Sequence, residues 1–267
     1  MATLYSFKNK NELSVSLAEY VKKVSAEAIA RHGKCMVAIS GGSLPKMLAQ
    51  ELITEEGKAA VEWSKWEVFF ADERAVPLDH EDSNYRLNME ELFSKLPMDP
   101  SQVHPIDASL ISGEDGSETD TTELADAYEK VLVKCFAPGD AVRHPTFDLV
   151  LLGMGPDGHC CSLFPGHELL RESVAWVVGI DDSPKPPSKR ITLTLPIVGH
   201  ANKIAFVAAG EGKRDMLRRI IENPEEGLPC TLVNITGGEK VSWFVDDEAS
   251  QDITHYPIRK ELNLANI

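Results

Sequence analysis

Leu149-Val150-Leu151-Leu152-Gly153-Met154-Gly155-Pro156-Asp157-Gly158-His159-Cys160-Cys161-Ser162-Leu163-Phe164-Pro165-Gly166 is the stretch whose reading decides the fold. Its apolar start has the length of a buried strand and stops abruptly at glycines, an acid and an imidazole. Gly153, Gly155 and Gly158 allow dihedrals or close approaches that a Cβ would obstruct. In an open α/β sheet, ligands bind beyond the carboxyl ends of parallel strands. The pattern therefore predicts a central parallel strand with Asp157 and His159 emerging at a ligand site.

Working outward, Ser14 to Ala30 carries apolar residues at helical spacing, and Cys35 to Ile39 reads as a second buried strand. Ser40-Gly41-Gly42-Ser43-Leu44-Pro45 follows it directly, with a helix from Lys46 to Leu52. Backbone amides and a helix start can hold an anion there, although a tight connection explains the same residues. The GxxxxGK[ST] phosphate-loop spacing is absent. Trp66 to Phe70 predicts a strand leading into the loop Ala71-Asp72-Glu73-Arg74. In that loop Asp72 suits a base or sugar hydroxyl and Arg74 suits a phosphate, or the two form a salt bridge. Ser83 or Asn84 caps the next helix or offers polar groups to the site.

Pro97 through Asp120 reads as irregular, with a short edge strand at Val103 to Ile106. Glu123 to Phe136 is helical and Pro138 to Thr146 a connection. Trp176 to Ile180 predicts a strand, Asp181 to Lys189 a proline-punctuated approach, and Arg190 to Leu195 either a short strand or a helix cap. Lys203 to Ala208 predicts another strand, and Arg214 to Glu222 a helix. Leu232 to Ile235 and Val241 to Val245 predict terminal strands. The alternation points to α/β: an open, mostly parallel sheet flanked by helices, Rossmann-like, with irregular insertions. No linker or repeat divides it, so one domain over 1–267 is expected.

The 267 residues, 43% hydrophobic and 26% charged, fit an ordinary globule rather than extensive disorder. Neither a leader-like start nor an apolar run approaching about 20 residues is visible, so a soluble cytoplasmic protein without membrane association is expected. The formal net charge of -15 opposes nonspecific nucleic-acid binding but permits a small phosphorylated metabolite in a locally basic pocket. Cys35, Cys135, Cys160, Cys161 and Cys230 are odd in number and scattered, which favours reduced thiols over disulfides or zinc.

His159 is the strongest candidate for a general base, since a neutral imidazole accepts a proton from water near neutral pH. A histidine that merely satisfies its loop is the alternative. Asp157 can orient that imidazole or hold a substrate hydroxyl. Two potential ligands without a persuasive third make a metal site a poor reading. Ser162 reads as a cap or a solvent-facing hydroxyl rather than a nucleophile, and the adjacent Cys160 and Cys161 lack the spacing of a CxxC pair.

Four ordered segments carry a resemblance: Ser40 to Pro45, Ala71 to Arg74, Gly153 to His159, and Ser183-Pro184-Lys185-Pro186-Pro187 with Arg190. Together they resemble the 6-phosphogluconolactonase family, within the wider glucosamine-6-phosphate isomerase/6-phosphogluconolactonase superfamily. The likeness spans nearly the whole chain, including Thr236-Gly237-Gly238; Leu44 stands where threonine is common. What the resemblance implies is hydrolysis of 6-phosphoglucono-1,5-lactone to 6-phosphogluconate in the oxidative pentose phosphate pathway. His159 would activate water, with Asp157 orienting the site. Gly41, Gly42 and Ser43 would cradle phosphate, and Asp72, Arg74, Lys185 and Arg190 would complete substrate binding or stabilise charge. No cofactor and no metal is implied, the partner is 6-phosphogluconolactone, and a monomer suffices, with a dimer as the alternative.

Two other functions stand beside it. Glucosamine-6-phosphate deaminases resemble the early glycine loop and the Asp-Gly-His segment, but continue with an asparagine-glutamate pair after a phenylalanine. Here the continuation is Ser162-Leu163-Phe164-Pro165-Gly166, which lacks that acid. A noncatalytic sugar-phosphate-binding protein would share the phosphate pocket without needing Asp157 and His159.

Overall fold

In the computed structural model the described residues are 1–137, 139 and 142–266; residues 138, 140 and 141 of the expected Pro138 to Thr146 connection lie outside them. From the amino end run β1 (Thr3–Phe7), α1 (Lys10–His32), β2 (Cys35–Ile39), α2 (Leu44–Leu52), α3 (Glu55–Ala59) and β3 (Trp66–Phe70). Next come β4 (Asp72–Arg74), α4 (Asn84–Glu91), α5 (Thr121–Phe136), β5 (Leu149–Gly153), β6 (Val177–Ile180) and β7 (Arg190–Leu193). The last are α6 (Leu195–His200), β8 (Lys203–Ala208), α7 (Arg214–Glu222), α8 (Pro229–Gly237), β9 (Val241–Asp246), α9 (Asp247–Ser250) and β10 (Ile258–Arg259).

Seven strands form one sheet in the order β10-β1-β9-β8-β5-β2-β3, and every neighbouring pair is parallel. Parallel sheets are covered on both faces, so their strands are apolar on both sides. Successive residues accordingly feed two cores. Val37, Ile39, Leu149 and Leu151 pack with Leu13, Leu17 and Tyr20 of α1 and Leu48 of α2. Ala38, Val150, Leu152, Phe206 and Trp243 pack on the other face with Leu124 and Tyr128 of α5, Leu217 of α7 and Val233 of α8. The two-residue alternation of strand side chains produces this division. No helix among the described residues is long and apolar enough to cross a membrane.

Strand order places the site. From β2 the chain moves outward to β3, whereas β5 returns beside β2 and later strands build in the opposite direction. Ile39 pairs with Leu151 in register, so the loops leaving β2 and β5 diverge at a topological switch point, where α/β sheets open a crevice.

Several expectations need correction. Leu232 to Ile235 is not a strand but part of α8. Cys230, Val233 and Gly237 are buried while Ile235 is 62% exposed, a helical period that a four-residue apolar run conceals. Val103 to Ile106 contributes only an isolated bridge from Val103 to Val68. Asp72 to Arg74, expected as loop, is a strand. It pairs antiparallel with β7, which also pairs with β6, in a separate three-stranded sheet. Arg190 to Leu193 takes the strand alternative and Thr194 leads into α6. The strands β1 and β10 went unread, β10 at an edge of the large sheet and β1 beside it, whereas Val241 to Val245 is the strand expected, within β9.

Candidate active site

Between the carboxyl ends of β2 and β5 lies a cleft of about 170 Å³, lined by Gly41, Gly42, Ser43, Asp72, Arg74, His159 and Arg190 among others. Seven of the nine residues singled out in sequence thus converge on one space. Asp157 and Lys185 do not line it; they stand behind His159.

The first wall is the turn after β2. Gly42 has φ +74, a left-handed conformation that side chains disfavour. Ser43 occupies the N-cap of α2 without a side-chain cap hydrogen bond, so amides of the first turn are open to an anion. Leu44 is buried in the core. The residue in the position commonly held by threonine therefore contributes packing instead of a hydroxyl.

The second wall comes from the small sheet, which pairs Arg74 with Arg190 and Asp72 with Thr192. Arg74 gives one Nη1 bond to the carbonyl of Asp82 (2.6 Å), while its buried Nε has no partner among the described residues. Arg190 is buried and anchors the approaching loop through the carbonyls of Lys185, Pro186 and Pro187. Its Nη1 donates to the hydroxyl of Ser162 at 3.3 Å, and that hydroxyl donates to Oδ2 of Asp72 at 2.8 Å. Ser162 is therefore neither a cap nor solvent-facing. It is buried and joins the carboxylate of Asp72 to the guanidinium of Arg190. Desolvation, then the nearby Arg74, lowers the Arg190 pKa, and Asp72 opposes this.

The third wall is the turn after β5. Gly155 accommodates the imidazole of His159, because an ideal Cβ there would lie 2.0 Å from both Cε1 and Nδ1. Nδ1 is hydrogen-bonded to Oδ1 of Asp157. Burial pushes the Asp157 carboxyl up, but His159 and Lys185 together pull it further down, to about 2. A carboxylate only accepts, so the proton of this contact sits on Nδ1 and the free lone pair on Nε2. Burial lowers the His159 pKa from its ordinary 6.5, with Asp157 opposing and Lys185 assisting. The ring is thus neutral near pH 7, with Phe164 against it at 4.8 Å between centroids.

Two participants, Lys213 and Glu73, carry no site expectation from the sequence, and Asn84 takes the site-facing alternative given for Ser83 or Asn84. Lys213, just before α7, lines the cleft and donates to the carbonyl of Met154 at 2.6 Å; only its place in a loop after a strand hinted at this. Asn84 also lines the cleft and binds the Asp72 carbonyl, whereas Ser83 takes the capping role by accepting from the Arg86 amide. Glu73 is buried and accepts from the amides of Arg74, Asn84 and Tyr85, each at 2.7 Å. It thereby fixes α4, and with it Asn84, against β4. No group of three or more potential metal ligands occurs among the described residues.

The chain is similar to known proteins over nearly its whole length. The family model for glucosamine-6-phosphate isomerases/6-phosphogluconolactonase matches residues 8–243. A probable 6-phosphogluconolactonase of Schizosaccharomyces pombe is 50% identical over 252 residues, 94% of this chain and 96% of its own. The 6-phosphogluconolactonase of Rattus norvegicus is 42% identical over 260 residues, 97% of this chain and 96% of its own. Among solved structures, the 6-phosphogluconolactonase from Trypanosoma cruzi superposes with a TM-score of 0.81 at 28% identity, covering 95% of this chain and 97% of that one.

Proposed function

The chain belongs to the glucosamine-6-phosphate isomerase/6-phosphogluconolactonase family, and from that premise and the site we infer that it hydrolyses 6-phospho-D-glucono-1,5-lactone to 6-phospho-D-gluconate in the oxidative pentose phosphate pathway. The observation that carries the mechanism is the imidazole of His159, bound through Nδ1 to Asp157 and lining the cleft with Nε2 free to accept.

In this reading the amides around Gly41, Gly42 and Ser43, with Arg74, bind phosphate, and Asp72 receives a sugar hydroxyl. Nε2 takes a proton from water as its oxygen attacks C1, and charge gathers on the carbonyl oxygen. The cations Arg190 and Lys213 oppose that charge. Collapse breaks the bond between C1 and the ring oxygen, which receives the proton from the imidazolium. The new acid releases its proton to solvent, and the imidazole is neutral again. Anchoring the phosphate sets the carbonyl against the water, which is where a fixed site gains most over solution.

Product formation measured above the spontaneous rate, with chelator present, should show turnover. A rate equal to spontaneous opening would sink the assignment. Ammonia release from glucosamine 6-phosphate would favour the deaminase instead; the residues Ser162 to Gly166 provide no acid for it. The pH dependence has a definite sign. Only neutral His159 is active, so kcat/KM should rise with pH through a midpoint below 6.5 and then level off. A rate that instead fell with rising pH across this range would identify the imidazole as an acid. We also propose a cytoplasmic location, which unpaired thiols suit, and a monomer, for which the groups named above suffice chemically. Cell fractionation and sedimentation test these.

A further inference from the structure

Lys185 Nζ lies 3.1 Å from Oδ1 of Asp157 and 3.2 Å from Nδ1 of His159. An ammonium carries no lone pair, and neither does a protonated Nδ1, so the short N···N contact is two donors converging on one acceptor. The loop is built to hold this geometry. Arg190 Nη2 binds the carbonyl of Lys185 at 3.0 Å, and Ser183 Oγ binds the same carbonyl at 2.8 Å. Lys185 therefore points its charge at the pair behind the cleft while staying off the cleft lining.

We propose that Lys185 is a positioning residue that, by sharing Oδ1 of Asp157 with the imidazole, opposes a second proton on His159 and so keeps Nε2 free to accept. This deepens the lactonase reading and rests on it for its effect on rate. A lone carboxylate beside an imidazole stabilises the imidazolium and would leave the base occupied at mildly acidic pH. A second cation on the same oxygen divides that carboxylate's attraction and repels the imidazolium directly. Other groups also face the pair: Asp72 from β4 favours the charged ring, and Lys213 faces Asp157 and Lys185. Phe164 covers the ring, and the thiol of Cys230 on α8 binds the His159 carbonyl at 3.5 Å. Among these, Lys185 is the cation that lies against both members of the pair, donating to Asp157 and standing 3.2 Å from Nδ1 of His159. The direction found for His159 agrees: burial lowers it first, Asp157 raises it and Lys185 lowers it again.

The test compares wild type with Lys185→Met, Lys185→Gln and Lys185→Arg in the intact protein, with melting curves confirming folding. For the two neutral variants, kcat/KM should fall about tenfold near pH 5.5 and much less near pH 8, because the acidic limb moves up. Lys185→Arg should return the limb to its wild-type place. Desolvation pushes the carboxyl of Glu73 up to about 7, so the rate alone does not assign the limb. Imidazole resonances of His159, recorded without substrate and identified by their loss in His159→Asn, should titrate at higher pH in both neutral variants. An unmoved or lower imidazole midpoint would overturn the proposal. So would a loss equal at every pH and carried by KM, which would make Lys185 a substrate ligand. A wild type without lactone turnover would instead overturn the lactonase reading, and the imidazole titration would still decide the role of Lys185.

Discussion

His159→Asn is expected to lower kcat for the phosphorylated lactone about a thousandfold, the size of effect a positioned general base supplies. Asparagine keeps an N–H in reach of Asp157 but presents no group that takes a proton from water near neutral pH. The cleft's cations and the turn after β2 are untouched, so calorimetric affinity for 6-phosphogluconate should stay within about threefold. Rates must be read against spontaneous ring opening, which sets the floor. A folded variant with undiminished kcat would remove the imidazole from the mechanism. A variant that lost product affinity and kept kcat would make it a binding residue.

Gly155→Ala should lower kcat about a hundredfold, since displacing a catalytic group by an ångström costs on that order. The added methyl would stand 2.0 Å from two ring atoms of His159, closer than any real contact, so the ring or the turn must shift. Moving the ring breaks the Nδ1 contact with Asp157 and turns Nε2 away from the water. Affinity for the product should change little, because the turn proposed to hold phosphate follows a different strand, β2. Gly212→Ala supplies the comparison: its Cβ would meet nothing within 4 Å, and turnover should stay near wild type. Equal rates for wild type and Gly155→Ala would show that the ring does not need this position.

Legibility in the sequence followed the length and purity of each apolar run. The strands at Cys35, Leu149 and Lys203 carry unbroken runs of four or more apolar residues, the one at Trp66 is broken only by Glu67, and each lies in the large sheet. Thr3–Phe7 mixes polar and apolar residues, and Ile258–Arg259 is two residues long; neither carries a period that can be recognised alone. Asp72 to Arg74 is charged throughout because its strand belongs to a ligand-facing small sheet, where the usual apolar signal is absent. Leu232 to Ile235 looked like a strand because four residues cannot separate the two periods.

The residues alone determined an α/β sheet with glycine-rich loops after its strands, and placed an imidazole, a carboxylate and the turn proposed to bind phosphate in those loops. Local periodicity encodes strand and helix, and loop chemistry encodes what each turn can bind. Only the tertiary structure decided which loops adjoin and which partner each side chain takes. Ser162 meets Asp72 across 90 positions of sequence and Lys185 meets Asp157 across 28. Lys213 enters the cleft because β8 lies beside β5. Those meetings depend on strand order and on the pairing of the small sheet, which are settled by packing over the whole chain and leave no periodic mark in any one segment.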